Sequence, residues 1–369
     1  MPLWMDILIA VLAVIGFVFI RSRFKENKKI RTVSLIALIV ILILTSLYAA
    51  ATYLLVYRED DIHPEPRDEI QELAAMRVEQ RIRDALDYIE RYPSSETSMK
   101  AFPFEEERNE GKQNLNEEQM KIYNELKEKE LSLQSFSYSA EEYGYPYLDN
   151  LLVASYALGN DHPVTDSYIS IKEVFEGEKT TAMASRYFMP QDPEMTEITT
   201  EQQFEELKKE LQILDAEIQM IVDAIPAEKS VYDRYRYLAT YISLTTRYDH
   251  DGEGGMMTST PYGGIEGGLS ICQGYSKAFE VLCERAGLYC KCVTGVSDGV
   301  SHMWNLIQLE DGTYHVDITW SDDGYNLPDE SGWYQYFALP QETILQLRHE
   351  ITDGTVATGT RQIIPPHLK

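Results

Sequence analysis

Positive charge is scarce in this sequence. Its 369 residues include 33 Lys and Arg against 60 Asp and Glu, which gives a formal net charge of −27 at pH 7. Nucleic-acid binding needs clustered basic side chains, and docking on anionic lipid needs a basic surface, so the charge argues against both. The composition is otherwise ordinary for a globular protein, and we do not expect intrinsic disorder.

Cysteine is also sparse. The four cysteines, Cys272, Cys283, Cys290 and Cys292, fall within one short stretch, whereas a disulfide scaffold spreads its cysteines through the fold. Their spacing matches no zinc pattern, the histidines are scattered, and the acidic segment 322–324 is too short for a calcium loop. We therefore expect no metal and no cofactor, and three of the cysteines are interpreted as small buried residues.

Long apolar runs occur only near the N-terminus. The run from Leu3 to Ile20 carries Asp6 as its one charge, and the run from Val33 to Tyr57 carries none. Each is long enough to span a bilayer as a helix. Segment 21–32 between them holds six basic residues and one acid, which is typical of a cytoplasmic loop.

Residues 1–57 are therefore predicted to form two transmembrane helices of a multi-pass cell-membrane protein, with the remainder of the chain outside the cytoplasm. A cleaved signal peptide does not fit, because the positive charge follows the first apolar run instead of preceding it. A pair of buried core helices is the alternative.

Beyond residue 57 the patterns predict an α+β protein in four parts. These are an acidic helical stalk or linker (58–135), a mixed α/β part (136–225), a core (226–340) and a C-terminal tail (341–369). Helical periodicity covers residues 67–91, 116–131, 201–225 and 228–245, alternation at 167–175 predicts a strand, and 249–270 is a long Gly-rich loop.

Cys272 begins a predicted helix that Gly287 ends. At a helix N-terminus the dipole and the unpaired backbone N–H groups favour negative charge, and this lowers the pKa of a thiol. A structural cysteine more often lies in mid-helix, as Cys283 does. Cys272 is therefore the candidate nucleophile.

A thiolate nucleophile needs a base, and the base needs an orienting acceptor. Two predicted strands, SHMWNLIQLE and TYHVDITW, follow with a turn across Asp311-Gly312. His302 and Asp317 are separated by an odd number of residues, so a hairpin directs both to one face. A turn centred on Leu309-Glu310 would place them opposite each other, and one at Asp311-Gly312 would leave them roughly 13 Å apart.

Two other histidines compete as the base. His315 shares the predicted face of Asp317, although a polar residue on a partly exposed strand is its simpler interpretation. His250, in the Gly-rich loop, is a weaker competitor.

The succession CQGYSKAF, ERAGL, VTG, HMWNLI and YHVDITW resembles the transglutaminase-like core domain, as does RYD at 247–249. The resemblance covers about residues 230–325. It implies a papain-like α+β fold, acyl transfer through a thioester, Cys272 as nucleophile, His302 as general base and acid, and Asp317 as the orienting carboxylate. The residues that it implies around the site are Gln273, Gly274, Trp304, Asn305 and Trp320.

A side-chain donor for the oxyanion is harder to find. Papain-like enzymes usually place one upstream of the cysteine, but residues 258–271 contain no Gln, Asn or Trp. Tyr262, together with the Cys272 backbone N–H, is the candidate.

Two functions follow from this sequence. The first is an extracytoplasmic cysteine acyltransferase or peptidase that acts on peptide or protein amides, with cell-wall peptides or surface proteins as possible substrates. The second is a catalytically silent binding or assembly module at the cell surface.

Overall fold

A computed structural model describes residues 67–101, 111–321 and 335–363 of the protein. Its contacts separate residues 1–69 from a second unit, Ile70–Lys369, which contains nearly all of the described residues. The two predicted membrane spans lie outside the described residues. Within the described ranges, no helix combines the length and the apolar character needed to cross a membrane.

The described residues form nine α-helices and nine strands. The helices are α1 (Arg67–Arg91), α2 (Glu117–Leu131), α3 (Ala140–Tyr143), α4 (Tyr145–Asp161), α5 (Glu201–Asp223), α6 (Val231–Thr245), α7 (Cys272–Arg285), α8 (Ile318–Ser321) and α9 (Gln341–Gln346). The strands are β1 (Ser137–Ser139), β2 (Ile169–Glu176), β3 (Lys179–Tyr187), β4 (Arg247–Tyr248), β5 (Leu269–Ser270), β6 (Cys290–Ser297), β7 (Val300–Leu309), β8 (Gly312–Val316) and β9 (His349–Ile351).

The long predicted helices are confirmed, with small changes at their ends. Asn116 caps α2 and Thr200 caps α5, each in a reciprocal capping box with the Gln three residues later. Ser230 caps α6, which therefore begins at Val231, three residues after the predicted start at Glu228. Side-chain capping thus decides where these helices begin.

The N-terminal part builds a small layer of its own. Strands β1, β3 and β2 form an antiparallel sheet in that order, and α2 packs with α4 around buried apolar side chains that include Leu126, Leu151 and Met183. The strand predicted at 167–175 is confirmed as β2 (Ile169–Glu176), whereas its partner β3 was not predicted.

Helix α1 is not a stalk. Its apolar stripe, Val78, Ile82, Ala85 and Ile89, is buried in the main core together with side chains of α5, α6 and α7. Of the two interpretations that this pattern allows for residues 67–91, a stalk or a packing layer, the burial supports the packing layer, because an amphipathic stripe of this width is buried against the rest of the protein.

The main sheet has four antiparallel strands in the order β8-β7-β6-β9, and α7 packs against it. Strand β9 pairs with β6, with His349 opposite Ser297. Residues 349–351, predicted as part of a tail, therefore belong to this sheet, and the core extends past the predicted boundary at residue 340.

The β7–β8 hairpin has a register that the sequence analysis did not consider. Leu309 pairs with Gly312, so the turn is formed by Glu310-Asp311. Strand β8 ends at Val316, and Ile318–Ser321 forms the short helix α8 instead of continuing the predicted strand. The predicted turn at Asp311-Gly312 and the strand assignment of residues 318–320 are both wrong.

The Gly-rich loop is closed at its base. Strands β4 and β5 pair in parallel, and the buried carboxylate of Asp249 accepts the N–H groups of Glu253 and Gly254 at 3.0 and 3.1 Å. The chain then enters α7 over Gly274, where a Cβ atom would collide with the Ser270 hydroxyl and the Thr258 carbonyl oxygen. Only glycine permits this approach.

We expect Gly274→Ala to destabilise the protein by about 1–3 kcal/mol, because the added methyl overpacks a backbone contact that cannot yield easily. Gly159→Ala is the matched control, since its Cβ meets only the Asp166 carboxylate at 3.6 Å. That change should be neutral or stabilise by about 0.5–1 kcal/mol. Chemical denaturation measures both, and equal effects of the two substitutions would contradict the packing argument.

Candidate active site

Cys272 is the first residue of α7, and its thiol is half-buried. The N-cap residue, Ile271, provides no side-chain cap. The backbone N–H groups at this end are therefore left to face the thiol and whatever binds beside it. The backbone N–H of Gln273, in the first turn of α7, and that of Met303, on β7, interact with the sulfur.

Two opposing influences act on this thiol. Burial raises the pKa of Cys272, whereas the hydrogen bond and charge of His302 lower it. The lowering influences prevail, so the pKa lies below its ordinary value. Cys272 is thus placed and tuned to carry a thiolate.

His302 lies between the thiol and a carboxylate. Its Nε2 is 2.7 Å from Asp317 Oδ2, which leaves Nδ1 for the sulfur. Burial lowers the pKa of His302, but the hydrogen bonds to Asp317 and Cys272 prevail and raise it to about 9. The thiolate and the imidazolium therefore favour each other as an ion pair.

Asp317 is fully buried and has three donors around its carboxylate. Oδ1 accepts the Trp320 N–H at 3.1 Å, and Oδ2 accepts from His302 and, at 2.9 Å, from His349 Nε2. Burial raises the pKa of Asp317, and the two histidines reverse this and bring it below its usual value. The carboxylate is consequently ionised although no water reaches it.

The hairpin register explains how His302 and Asp317 meet. Because Asn305 pairs with Val316, Asp317 continues opposite Trp304, two residues from His302 on the same face. Diagonal neighbours at this offset lie within reach of long side chains. The parity argument is confirmed, and the actual register lies between the two that were considered.

The aromatic residues predicted around the site line the histidine. Trp304 is buried and stacks beside His302 at 5.9 Å, and Trp320 meets the same ring edge-on at 6.5 Å. Trp320 is 44% exposed, so it forms part of the wall that a substrate would touch. The exposed Gln273 lies beside Cys272 at the surface.

Asn305 has a structural position behind the site. Its side-chain amide donates to the Ser276 carbonyl oxygen at 2.9 Å. This bond ties β7, which carries His302, to α7, which carries Cys272.

The competing histidines lie elsewhere. His315 is fully buried, accepts the Trp304 indole N–H at Nδ1 (3.0 Å) and contacts Gln341 Oε1 at Nε2 (3.0 Å). Burial lowers its pKa. Both ring nitrogens are engaged away from the thiol, and the ring of His250 packs on Tyr248.

Tyr262 is not brought to the thiol by any contact among the described residues. Its side chain is buried near the charged groups of Glu210 and Glu266, where burial raises the pKa of the phenol. Tyr248 lies near Cys272 instead, and burial together with the charge of Cys272 raises the pKa of its phenol. The sequence analysis quoted Tyr248 within RYD but assigned it no role, and it passed over His349 entirely.

His302, Asp317 and His349 are the group of described residues that could hold a metal, with donor atoms within 4.8 Å of one another. Their spacing is that of hydrogen bonds, because one carboxylate oxygen lies 2.7 and 2.9 Å from the two ring nitrogens. All four cysteines are described, and none forms a disulfide.

Comparison with known proteins gives a match over the residues that include Cys272, His302 and Asp317. A sequence model of the transglutaminase-like superfamily matches residues 219–334. The match supports a transglutaminase-like domain in this stretch of the sequence. Cys272, His302 and Asp317 lie within it, and His349 lies beyond its matched end.

Other comparisons add little. No curated protein matches the sequence. One solved structure, described as the crystal structure of a TGase, is similar at 16% identity with a TM-score of 0.27. The match covers 41% of this chain and 44% of that chain. The chain thus spans less than half the length of the solved structure that it matches.

An ordinary thiol has a pKa of about 8.5. Alkylation of Cys272 by iodoacetamide should begin at a lower pH than alkylation of such a thiol. His302→Ala should move this onset above the ordinary value, since burial then acts on the thiol without its partner. The measurement is the rate of label incorporation at Cys272 against pH, followed by mass spectrometry. His315→Asn, on the neighbouring strand, is the control and should leave the onset unchanged; an onset that ignores His302 would show that no ion pair forms.

Proposed function

We propose that the protein is a membrane-anchored cysteine acyltransferase or peptidase of the transglutaminase-like type, acting outside the cytoplasm on peptide or protein amides. The observation that supports this most is the hydrogen-bonded series that begins at Cys272, the first residue of α7, and continues through His302 to Asp317. The lowered pKa values of Cys272 and Asp317 and the raised pKa of His302 favour the thiolate, carboxylate and imidazolium that the chemistry requires. Membrane attachment is proposed from the two apolar runs within residues 1–57.

In the first half-reaction, the Cys272 thiolate attacks the carbonyl carbon of the amide. A C–S bond forms, and an electron pair moves onto the oxygen. His302 then donates its Nδ1 proton to the amide nitrogen as the C–N bond breaks. The amine or ammonia leaves, and the acyl group remains as a thioester on Cys272.

The oxyanion of this step would lie at the N-terminus of α7. The backbone N–H of Cys272 and the hydroxyl of Tyr248 are the donors that we assign to it. Because the pKa of Tyr248 is raised, its phenol keeps the proton that this hydrogen bond requires. The donor assignment thus passes from Tyr262 to Tyr248.

In the second half-reaction, water or an amine attacks the thioester. His302 accepts the proton of the attacking group, and the C–S bond breaks to restore the thiolate. Water produces hydrolysis, whereas an amine produces a new amide bond. Access of water to the thioester therefore decides between peptidase, deamidase and transferase outcomes.

The intact series also favours turnover over a silent binding module. A domain that only binds has no requirement for a fully buried carboxylate oriented on a histidine, and burying that charge is unfavourable unless it is compensated. Cell-wall peptides and surface proteins are the substrates that an exported domain would encounter.

The test is to trap the thioester. The full-length protein is incubated with a mixture of peptides that contain glutamine and a labelled primary amine. An acyl adduct on the Cys272 peptide, released by hydroxylamine, is expected by mass spectrometry, together with ammonia, new N-termini or incorporated amine. Cys272→Ala should abolish all of these, with a loss of about 10³-fold or more.

Cys292→Ala is the matched control, because Cys292 is another half-buried cysteine, on β6. It should retain the adduct and the products. Products that survive Cys272→Ala would refute the assigned nucleophile. A folded wild-type protein that forms no adduct with peptides, cell-wall fragments or surface proteins would support the binding module.

A further inference from the structure

A second histidine is bound to the carboxylate of the candidate active site. His349 lies on β9, outside the residues that match the superfamily, and it is fully buried with Asp317. Its Nε2 is 2.9 Å from Asp317 Oδ2, the same oxygen that receives His302. One carboxylate oxygen therefore joins two imidazole rings.

The other nitrogen of His349 also faces an acceptor. Its Nδ1 is 3.0 Å from the Leu347 carbonyl oxygen. A neutral imidazole carries one N–H and can satisfy only one of these oxygens, whereas an imidazolium satisfies both. A neutral ring would direct a nitrogen lone pair at a buried oxygen, which is unfavourable in a site without water.

His315 shows the opposite arrangement in the same neighbourhood. Its Nδ1 receives the Trp304 N–H, so that nitrogen must be unprotonated, and its Nε2 can then donate to Gln341. The neutral form fits His315 fully. The hydrogen-bond partners of these two buried histidines near Trp304 thus favour different protonation states.

His349 is held rigidly in this position. It pairs with Ser297 across β6–β9, and its ring packs edge-on against Trp304 at 5.0 Å and 84°. Arg348 precedes it with a φ of 62° and forms an exposed ion pair with Asp298 at 2.8 Å. The left-handed residue turns the chain into β9 and directs the next side chain inward.

We propose that His349 is a positioning residue that, as a buried imidazolium, holds Asp317 and shares its negative charge with His302. The inference rests on the proposed function, because it assigns His349 an effect on the acid and base of that reaction. Asp317 would then be shared between two cations, so His302 is held less firmly in its protonated form. A proton that is held less firmly passes more readily to the leaving amine.

The charged and titratable groups around His349 are few among the described residues. Asp317 and His302 contact it directly or through the shared oxygen, and its charge is one of the influences that lower the pKa of His315. The Tyr336 ring is 6.3 Å away. The Arg348–Asp298 pair is exposed and self-compensating.

His349→Gln separates the charge from the hydrogen bond, because a Gln amide can still donate to Asp317 but carries no charge. Removal of a nearby cation raises the pKa of every acid that it faces. The ring centroids of His302 and His349 are 5.7 Å apart. The pKa of His302 should therefore rise by about one to two units in this variant. The onset of thiolate formation at the more distant Cys272 should change less.

The experiment follows alkylation of Cys272 against pH in the full-length protein. The rate should rise first as the thiolate forms, and again when His302 loses its proton near pH 9, because an unpaired thiolate is the stronger nucleophile. In His349→Gln the second rise should move to higher pH. In His315→Asn, the neutral control, both rises should stay in place.

A second measurement reads the charge directly. In protein labelled with [¹⁵N]histidine, the resonances that disappear in His349→Gln should show two protonated ring nitrogens at pH 7. One protonated nitrogen, or a second rise that does not move, would overturn the proposal. If His349→Gln lowers the melting temperature, the labelled wild-type protein still decides.

Failure of the proposed function looks different. If Cys272 of the wild-type protein is alkylated with the pH profile of an ordinary thiol, the ion pair with His302 does not form. The number of protonated ring nitrogens that NMR shows for His349 would not be affected by this result. If a chelator removes a metal from purified wild-type protein and changes the His349 resonances, the three side chains form a metal site and the positioning role is wrong.

Discussion

The buried carboxylate of Asp317 is the constraint around which the site is organised. An isolated charge without water is strongly unfavourable, and it persists only when donors surround it. Here the donors come from three elements: His302 on β7, His349 on β9, and the Trp320 N–H of α8. Each of those elements must be in place before the charge is stable, so the site and the C-terminal part of the sheet depend on each other.

The position of Cys272 depends on a second close approach, on the other side of the histidine. Gly274 lets the closed Gly-rich loop pass directly over the first turn of α7, and Asn305 ties that helix to β7. Behind α7, helices α1, α5 and α6 complete the main core. A charged cluster joins α1 to the rest: Arg77 pairs with Glu210 at 2.8 Å and Arg81 with Glu266 at 2.6 Å. The long N-terminal helix therefore supports the site indirectly, through the helix that carries the thiol.

Electrostatics give the three groups distinct tasks. Burial opposes charge on all of them, yet the pKa of Cys272 and that of Asp317 are lowered and that of His302 is raised to about 9. Alternating charges at hydrogen-bond distance outweigh desolvation only when the geometry is good. The packing of Trp304 against His302 and His349 maintains that geometry, since a ring that is stacked on one side and met edge-on at the other has little freedom to rotate.

Sequence alone determined the features that depend on neighbours along the chain. Helical periodicity placed α1, α2 and α5, and the position of Cys272 before an amphipathic helix marked the candidate nucleophile. Strand parity put His302 and Asp317 on one face. Tertiary structure decided what depends on distant segments meeting. The hairpin register differed from both expectations, Tyr248 rather than Tyr262 came near the thiol, and a supposed tail supplied His349. A strand of three residues such as β9 has no periodicity to detect, and it exists because β6 offers it an edge and Asp317 offers its histidine a charge.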